Sequence, residues 1–74
     1  MELSVVVPVR NEQDNILPLI GEIYAALEGR YDYEVIYVDD GSDDDTLQLL
    51  RQALAIYPRL RVLRHAEYPR YTTV

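Results

Sequence analysis

The chain has 74 residues, a formal net charge of −6 and no cysteine. This length is about half of an ordinary domain, and the acidic balance argues against a nucleic-acid surface held by phosphate contacts. Without cysteine, disulfides and thiolate metal sites are excluded. The longest apolar run, Val5 to Val9, is too short to span a membrane, and the N-terminus lacks the basic start of a signal peptide. We therefore expect a soluble cytoplasmic chain, membrane-associated if it belongs to a longer protein.

The first half of the chain predicts one strand and one helix. Residues Leu3 to Val9 form a valine-rich run without polar alternation, which is typical of a parallel strand covered on both faces. A helix is predicted from about Asp14 to Glu28, with Pro18 in its first turn and Gly29 as its C-terminal stop. Its apolar side chains recur at helical spacing and share one face: Ile16, Ile20, Ile23 and Leu27.

The second half repeats this pattern and adds a third strand. A buried strand from Glu34 to Asp39 leads into a helix from about Asp43 to Tyr57, which Pro58 terminates. Residues 42–45 match the [ST]-x-x-[DE] pattern of a capping box. The inward-facing side chains of this helix are predicted to be Leu47, Leu50, Leu54 and Tyr57. A short strand from Leu60 to Leu63 follows.

The predicted order βαβαβ implies right-handed crossovers and a parallel sheet with spatial order 3-2-1. The loops after the first and second strands then lie side by side. Ligands of open parallel α/β sheets bind outside the carboxyl ends of the strands. We therefore expect Arg10 and Glu12 to lie near Asp39 and Asp40, in a candidate binding site.

Each of these polar groups also has a structural interpretation when it is taken alone. The turn at residues 40–42 is typical of a helix cap. The acidic run at residues 43–45 suits a helix dipole better than a metal ion, because consecutive residues do not converge on one point. Glu12 is open to a role as capping acid of the first helix, with Arg10 as its solvated neighbour.

The sequence gives little support for a site at His65 or at the tyrosines, and little for two other classes of protein. His65 is the single histidine and has no second ligand candidate, so we predict no metal role for it. The seven tyrosines are interpreted as amphipathic packing rather than as a stacking platform. A receiver-like signalling module is disfavoured because the first strand ends in one acid and the third in Arg64-His65. A dinucleotide-dependent oxidoreductase is disfavoured because no G-x-G-x-x-G follows the first strand.

Two motifs, separated by one amphipathic helix, carry a resemblance to a known family. P-x-x-N-E stands at residues 8–12, and V-D-D-G-S followed by D-x-T stands at residues 38–42 and 44–46. The sequence resembles the N-terminal part of family 2 glycosyltransferases of the GT-A fold, in particular the branch with dolichyl-phosphate mannosyltransferase and bacterial polyprenyl-phosphate glycosyltransferases. The implied fold is the Rossmann-like parallel βαβαβ half of a GT-A nucleotide-sugar-binding domain.

The resemblance assigns nucleotide-binding roles to six residues. Pro8 and Val9 would line the base and ribose. Arg10 stands where many members have an aromatic residue, and a guanidinium also stacks on a base or meets a phosphate. The other assigned residues are acids: Glu12 would accept hydrogen bonds from ribose hydroxyls, Asp40 from the imide N–H of the base, and Asp39 would hold the loop.

The resemblance covers Leu3 to about Glu67. We therefore assign residues 1–67 to the nucleotide-binding part of the domain and 68–74 to a divergent or truncated tail, since the family commonly continues with N-x-G. It implies sugar transfer from a nucleotide diphosphate donor, with a polyprenyl phosphate as acceptor in this branch. The acids that hold Mg²⁺ or Mn²⁺ in the full-length family and its catalytic base have no counterpart here, so we assign no catalytic or metal residue and expect this chain alone to be inactive. A non-catalytic interaction fragment stays an alternative. We also expect self-association through the unpaired edge of the first strand.

Overall fold

A computed structural model describes residues 2–65 and 71–73 of the chain. In chain order the elements are β1 (Leu3–Val9), a short 3-10 helix (Gln13–Asn15), α1 (Ile16–Leu27), β2 (Tyr33–Asp39), α2 (Thr46–Leu54), β3 (Leu60–His65) and β4 (Tyr71–Thr73). β2 pairs in parallel with both β1 and β3, and the sheet order is β1-β2-β3-β4. The α/β class, the parallel sheet and the predicted arrangement of the first three strands are therefore confirmed.

The last strand was not predicted. β4 pairs antiparallel with β3 and belongs to the segment at residues 68–74 that we interpreted as a tail. Its three residues are too short a run to stand out from the sequence pattern. The other residues of that segment lie outside the described part of the chain, as does the side chain of His65.

One face of the sheet is covered by both helices. The crossovers β1-α1-β2 and β2-α2-β3 advance in the same direction with the same hand, which places both helices on one side. On this side β1 residues Val5 and Val7 pair with Val35 and Tyr37, which are fully buried. The core consists of residues from β1, α1, β2, α2 and β3: Val9, Ile16, Ile20, Tyr33, Val35, Tyr37, Leu50, Ala53, Leu60 and Val62.

The prediction that β1 is covered on both faces is wrong. β1 lies at an edge of the described sheet, and Val6, on the face away from the helices, is 59% exposed. A valine-rich run indicates that a strand can be buried on both faces. Whether it is buried depends on how many elements are available to cover each face. Within the described residues there are two α-helices, and both occupy the other side.

The apolar stripes of the two helices are confirmed. Ile16 and Ile20 of α1 and Leu50 of α2 are buried. The remaining predicted side chains pack against the core while partly buried, namely Ile23, Leu27, Leu47, Leu54 and Tyr57. The packing role of the tyrosines is likewise confirmed for those whose side chains contact the core, Tyr24, Tyr33, Tyr37 and Tyr57.

Helix α2 is shorter than predicted at both ends. Residues 43–45 lie before the helix because the N–H groups of Asp43 and Asp45 donate to the side chains of Asn11 and Gln13, which follow β1. At the other end, the N–H of Ile56 donates to Ala53 three residues back, so the last turn tightens and the α-helix ends at Leu54.

A second polar cluster closes the opposite end of the sheet, where the strands begin. The Arg59 guanidinium lies 4.5 Å from the ring centre of Tyr33, donates to the Tyr33 carbonyl oxygen at 2.7 Å, and forms ion pairs with Glu28 and Asp32. These contacts anchor β3 to β2 far from the carboxyl ends of the strands. In residues 2–65 and 71–73, neither helix is long and apolar enough to cross a membrane.

Candidate functional site

The loops that follow β1 and β2 are joined directly. We call residues 10–15 the first loop and residues 40–45 the second loop. The N–H of Asp40 donates to the Val9 carbonyl oxygen at 2.9 Å. The N–H of Asn11 donates to the Ser42 hydroxyl at 3.0 Å, and the Asn11 side-chain oxygen accepts the N–H of Asp43 at 2.8 Å. The predicted adjacency of the two loops is therefore confirmed.

Asn11 reaches the second loop from an unusual backbone conformation. Its φ of 53° lies in the left-handed region, which asparagine tolerates better than most non-glycine residues. In this conformation both its N–H and its side-chain carbonyl bind the second loop. Asn11 therefore acts as a reciprocal clamp between the loops.

Thr46 and Asp44 fix the middle of the first loop. The Thr46 hydroxyl is buried and accepts the N–H of Glu12 at 2.9 Å. One carboxylate oxygen of Asp44 accepts both the N–H of Thr46, at 2.9 Å, and the Thr46 hydroxyl. The other oxygen of Asp44 accepts the N–H of Gln13 at 3.4 Å. The hydrogen bond from the Thr46 side chain is the main cause that lowers the pKa of Asp44. Asp44 is therefore ionised at neutral pH and positions the backbone around Glu12.

Asp39 is the buried member of the acidic pair at the end of β2. It is 2% exposed and accepts the Ser42 hydroxyl. Between these residues Gly41 adopts a φ of +76°, which lets the chain turn back toward Asp39. The prediction that Ser42 begins a capping box is wrong, because α2 begins at Thr46 and the Ser42 hydroxyl is used between the loops.

The surface of this edge carries four of the six residues assigned by sequence. Pro8, Arg10, Glu12 and Asp40 are exposed, whereas Val9 and Asp39 are buried beneath them. The Glu12 carboxylate accepts the side-chain amide of Asn15 at 3.1 Å and caps no backbone N–H. The structure thus brings an apolar ring, a guanidinium and two carboxylates to one edge. Carboxylates there can accept hydrogen bonds from hydroxyl or imide groups, and a guanidinium can meet a phosphate.

Sequence reasoning did not predict that the residues holding this arrangement link the two loops, and it gave Ser42 and Asp44 helix-capping and helix-dipole roles instead. Asn11, Ser42, Asp44 and Thr46 make most of the bonds between the loops. Their positions in the two motifs could have identified them: they are the N of P-x-x-N-E, the S of V-D-D-G-S, and the D and T of D-x-T. Their function is to position the exposed residues.

The residues present do not fit a divalent cation. The described part of the chain contains no group of three or more histidine, aspartate or glutamate side chains placed to hold a metal. Both carboxylate oxygens of Asp44 accept N–H donors. We therefore derive no step through a metal at this site.

The fold and the loop pair define a parallel α/β unit with a polar edge at the carboxyl ends of β1 and β2. The profile of glycosyl transferase family 2 matches residues 4–68, and the chain belongs to this family.

Curated relatives agree with this assignment. Undecaprenyl-phosphate 4-deoxy-4-formamido-L-arabinose transferase of Pseudomonas fluorescens (strain Pf0-1) is 36% identical over 75 aligned positions, which cover 97% of this chain and 22% of the relative. Dolichol-phosphate mannosyltransferase of Pyrococcus furiosus is 36% identical over 67 positions, covering 90% of this chain and 18% of the relative. Glycosyltransferase AglE of Haloferax volcanii is 36% identical over 61 positions, covering 82% and 20%. The chain spans about a fifth of the length of these relatives.

Proposed function

We propose that this chain is the nucleotide-sugar-binding part of a glycosyltransferase that transfers a sugar from a nucleotide diphosphate donor to a polyprenyl phosphate. The observation that carries the proposal is the interlocking of the two loops, which holds Glu12 and Asp40 at one edge of the sheet. Membership of glycosyl transferase family 2 supports the reaction class.

Each exposed residue has a binding role in this proposal. The Asp40 carboxylate accepts the imide N–H of the base, and the Glu12 carboxylate accepts ribose hydroxyls. Pro8, with the backbone of Val9, supplies the apolar wall against the base and ribose. Arg10 stacks on the base or pairs with the diphosphate. Asp39 stays beneath them and holds the turn through the Ser42 hydroxyl.

The relatives' names support the proposed acceptor. Undecaprenyl phosphate and dolichol phosphate are membrane lipids, so we propose that the longer protein acts at a membrane, with this chain on its cytoplasmic side. The Mg²⁺ or Mn²⁺ expected for the full-length family would be held by acids outside these 74 residues. In this proposal the chain alone binds the donor and performs no transfer.

Backbone NMR during titration with uridine and guanosine diphosphates tests the site directly. We expect the amide signals of residues 10–13 and 40–44 to shift together and saturably with one of the nucleotides. The amides around Arg59 serve as the internal control, because they lie at the opposite end of the strands. Shifts confined to the Arg59 end, or no saturable shift with either nucleotide, would contradict the proposal.

A further inference from the structure

The first loop contains a 3-10 turn that holds Glu12 and Asn15 together. The turn comprises Gln13–Asn15 with Glu12 at its N-cap, and the N–H of Asn15 donates to the Glu12 carbonyl oxygen at 2.9 Å. Side chains three residues apart eclipse in a 3-10 helix, so the Asn15 amide lies over the Glu12 side chain. The amide nitrogen of Asn15 donates to a carboxylate oxygen of Glu12 at 3.1 Å. One residue therefore binds both the backbone and the carboxylate of Glu12.

Asn15 also stands at the N-cap position of α1, and its side chain does not cap that helix. Asparagine is favoured at an N-cap because its side-chain oxygen accepts an N–H of the first turn. Within the described residues Asn15 makes no such bond, and its φ of −108° and ψ of −6° lie in the right-handed helical region instead of the extended region usual at an N-cap. The side chain of Asn15 is therefore committed to Glu12 rather than to the helix.

The chemistry of the two groups fixes the direction of this bond. An ionised carboxylate only accepts hydrogen bonds, so the Asn15 side chain must turn its NH₂ group to Glu12. The carboxylate offers about four lone pairs, and the amide uses one of them. Because an amide is neutral, it does not cancel the charge of the carboxylate, and hydrogen bonds to a charged acceptor are stronger than bonds to a neutral one. Glu12 thus remains a strong acceptor with free capacity.

Glu12 is held at both its backbone and its carboxylate. Its N–H donates to the buried Thr46 hydroxyl at 2.9 Å, and Asn15 holds the other end of the side chain. A glutamate that is free before binding loses rotamer freedom when a ligand orders it, and this loss weakens binding. A contact that forms before the ligand arrives removes part of that cost. These contacts join groups of the two loops and α2 alone, so they require no further polypeptide.

We infer that Asn15 is a positioning residue for ribose recognition, and that it acts by holding the Glu12 carboxylate where the ribose hydroxyls of the nucleotide reach it. This role of Asn15 rests on the proposed function, in which Glu12 accepts those hydroxyls. Asn15 and Glu12 line the same cleft as Pro8 and Val9, which supply the wall against the base and ribose in that proposal. With the amide of Asn15 in place the chain selects ribonucleotides over deoxyribonucleotides, and without it the selection is lost.

Three-bond NMR couplings that report the χ1 angle of Glu12 test the positioning without a ligand. We expect one rotamer in the natural chain and averaging among rotamers in Asn15→Asp, because this isosteric substitution replaces the donor with a like charge. Asp14→Asn is the matched control, since Asp14 is exposed in the same 3-10 turn, and it should keep the single rotamer. Circular dichroism melts report whether both variants fold. Equal averaging in the natural chain and in Asn15→Asp would overturn the inference.

Calorimetric titration with uridine and guanosine diphosphates, and with the 2′-deoxy and 3′-deoxy forms of each, tests the ribose role. We expect the natural chain to prefer the ribonucleotide over at least one deoxy form by about tenfold in Kd, the loss expected for a hydrogen bond to a charged group. Asn15→Asp should abolish this preference, and Asp14→Asn should leave it unchanged. Glu12→Gln should abolish it too, with no further loss in the double variant, because Asn15 acts through Glu12.

The ratio of the two Kd values separates the ribose contact from a general effect of charge or folding. The charge that Asn15→Asp adds weakens the binding of both nucleotide forms alike, so it leaves the ratio unchanged. A natural chain without the preference, or an unchanged ratio in Asn15→Asp, would overturn the inference and leave the proposed function standing. A natural chain that binds no form of either nucleotide would contradict the proposed function, and the ribose role of Asn15 with it.

Discussion

The hydroxyl of Thr46 accepts the main-chain N–H of Glu12 at 2.9 Å, across 34 residues of sequence. Thr46 is the first residue of α2 and is fully buried, whereas Glu12 is exposed at the carboxyl end of β1. A rigid element thus sets the position of a candidate ligand-binding residue. The D-x-T motif functions here as a support for the first loop.

Replacement of Thr46 by valine should lower the free energy of unfolding by about 1 to 3 kcal/mol, because it removes the acceptor of the Glu12 N–H and the hydroxyl that donates to Asp44. Urea denaturation measures this. Thr46→Ser keeps the hydroxyl and should lose clearly less. A Thr46→Val variant as stable as the natural chain would show that the link between the loops contributes nothing.

Protonation of Asp44 at low pH should weaken the contacts between the two loops and lower the stability of the fold. Hydrogen bonds, chiefly from the Thr46 side chain, hold the pKa of Asp44 below its ordinary value of 3.8. A carboxyl with a lowered pKa in the folded state stabilises the fold above its unfolded pKa, and this contribution is lost as the pH falls through the folded pKa. The stability difference between the natural chain and Asp44→Asn, measured by urea denaturation, should therefore shrink as the pH falls below the ordinary pKa of 3.8. A difference that stays constant as the pH falls would show that the charge of Asp44 does not stabilise the loops.

The sequence predicted the order and pairing of β1, β2 and β3 because hydrophobic periodicity reports which residues face a core. The valine-rich pattern alone misassigned the burial of β1, since burial depends on how many elements cover each face, and Val6 is exposed for that reason. Within the site, strand order predicted that Glu12 and Asp40 lie at the same edge of the sheet, and their binding role stays a prediction. Residue type misassigned Ser42, because a hydroxyl before an acidic run suits a helix cap and a loop clamp equally well.

Tyr37 carries a buried hydroxyl without a hydrogen-bond partner among the described residues, and burial raises its pKa to about 12. Tyr37→Phe should be neutral or raise the free energy of unfolding by about 1 kcal/mol at pH 7, because an unsatisfied buried polar group is removed. Because folding raises the pKa of this hydroxyl, the unfolded chain ionises first, and the fold loses stability as the pH rises above the unfolded pKa of about 10 toward 12.

The loss of stability between about pH 10 and pH 12 should therefore be smaller in Tyr37→Phe than in the natural chain. Tyr33→Phe is the contrasting variant, because the Tyr33 hydroxyl donates to Glu28 at 2.6 Å and its removal should destabilise the fold at pH 7. A marked destabilisation by Tyr37→Phe at pH 7 would show that a bound group satisfies this hydroxyl.

Manganese should bind the chain weakly. Asp44 already accepts backbone N–H groups with both oxygens, so the acidic run at residues 43–45 offers no converging ligand set. Isothermal calorimetry with Mn²⁺ should give a dissociation constant above about 1 mM, unchanged in Asp44→Asn. Micromolar binding that disappears in Asp44→Asn would place a metal site in the second loop.

Calorimetric titration of nucleoside diphosphates into the natural chain and into Asp40→Asn tests the central claim most directly. Asparagine keeps the shape of Asp40 but replaces part of an acceptor-only group with a donor. We predict saturable binding by the natural chain and a loss of about 1.5 to 3 kcal/mol, more than about tenfold in Kd, in the variant. Asp45→Asn, an exposed acid of the same loop, should bind as the natural chain does. Equal affinity of the natural chain and Asp40→Asn would contradict the assignment of Asp40 as a nucleotide contact.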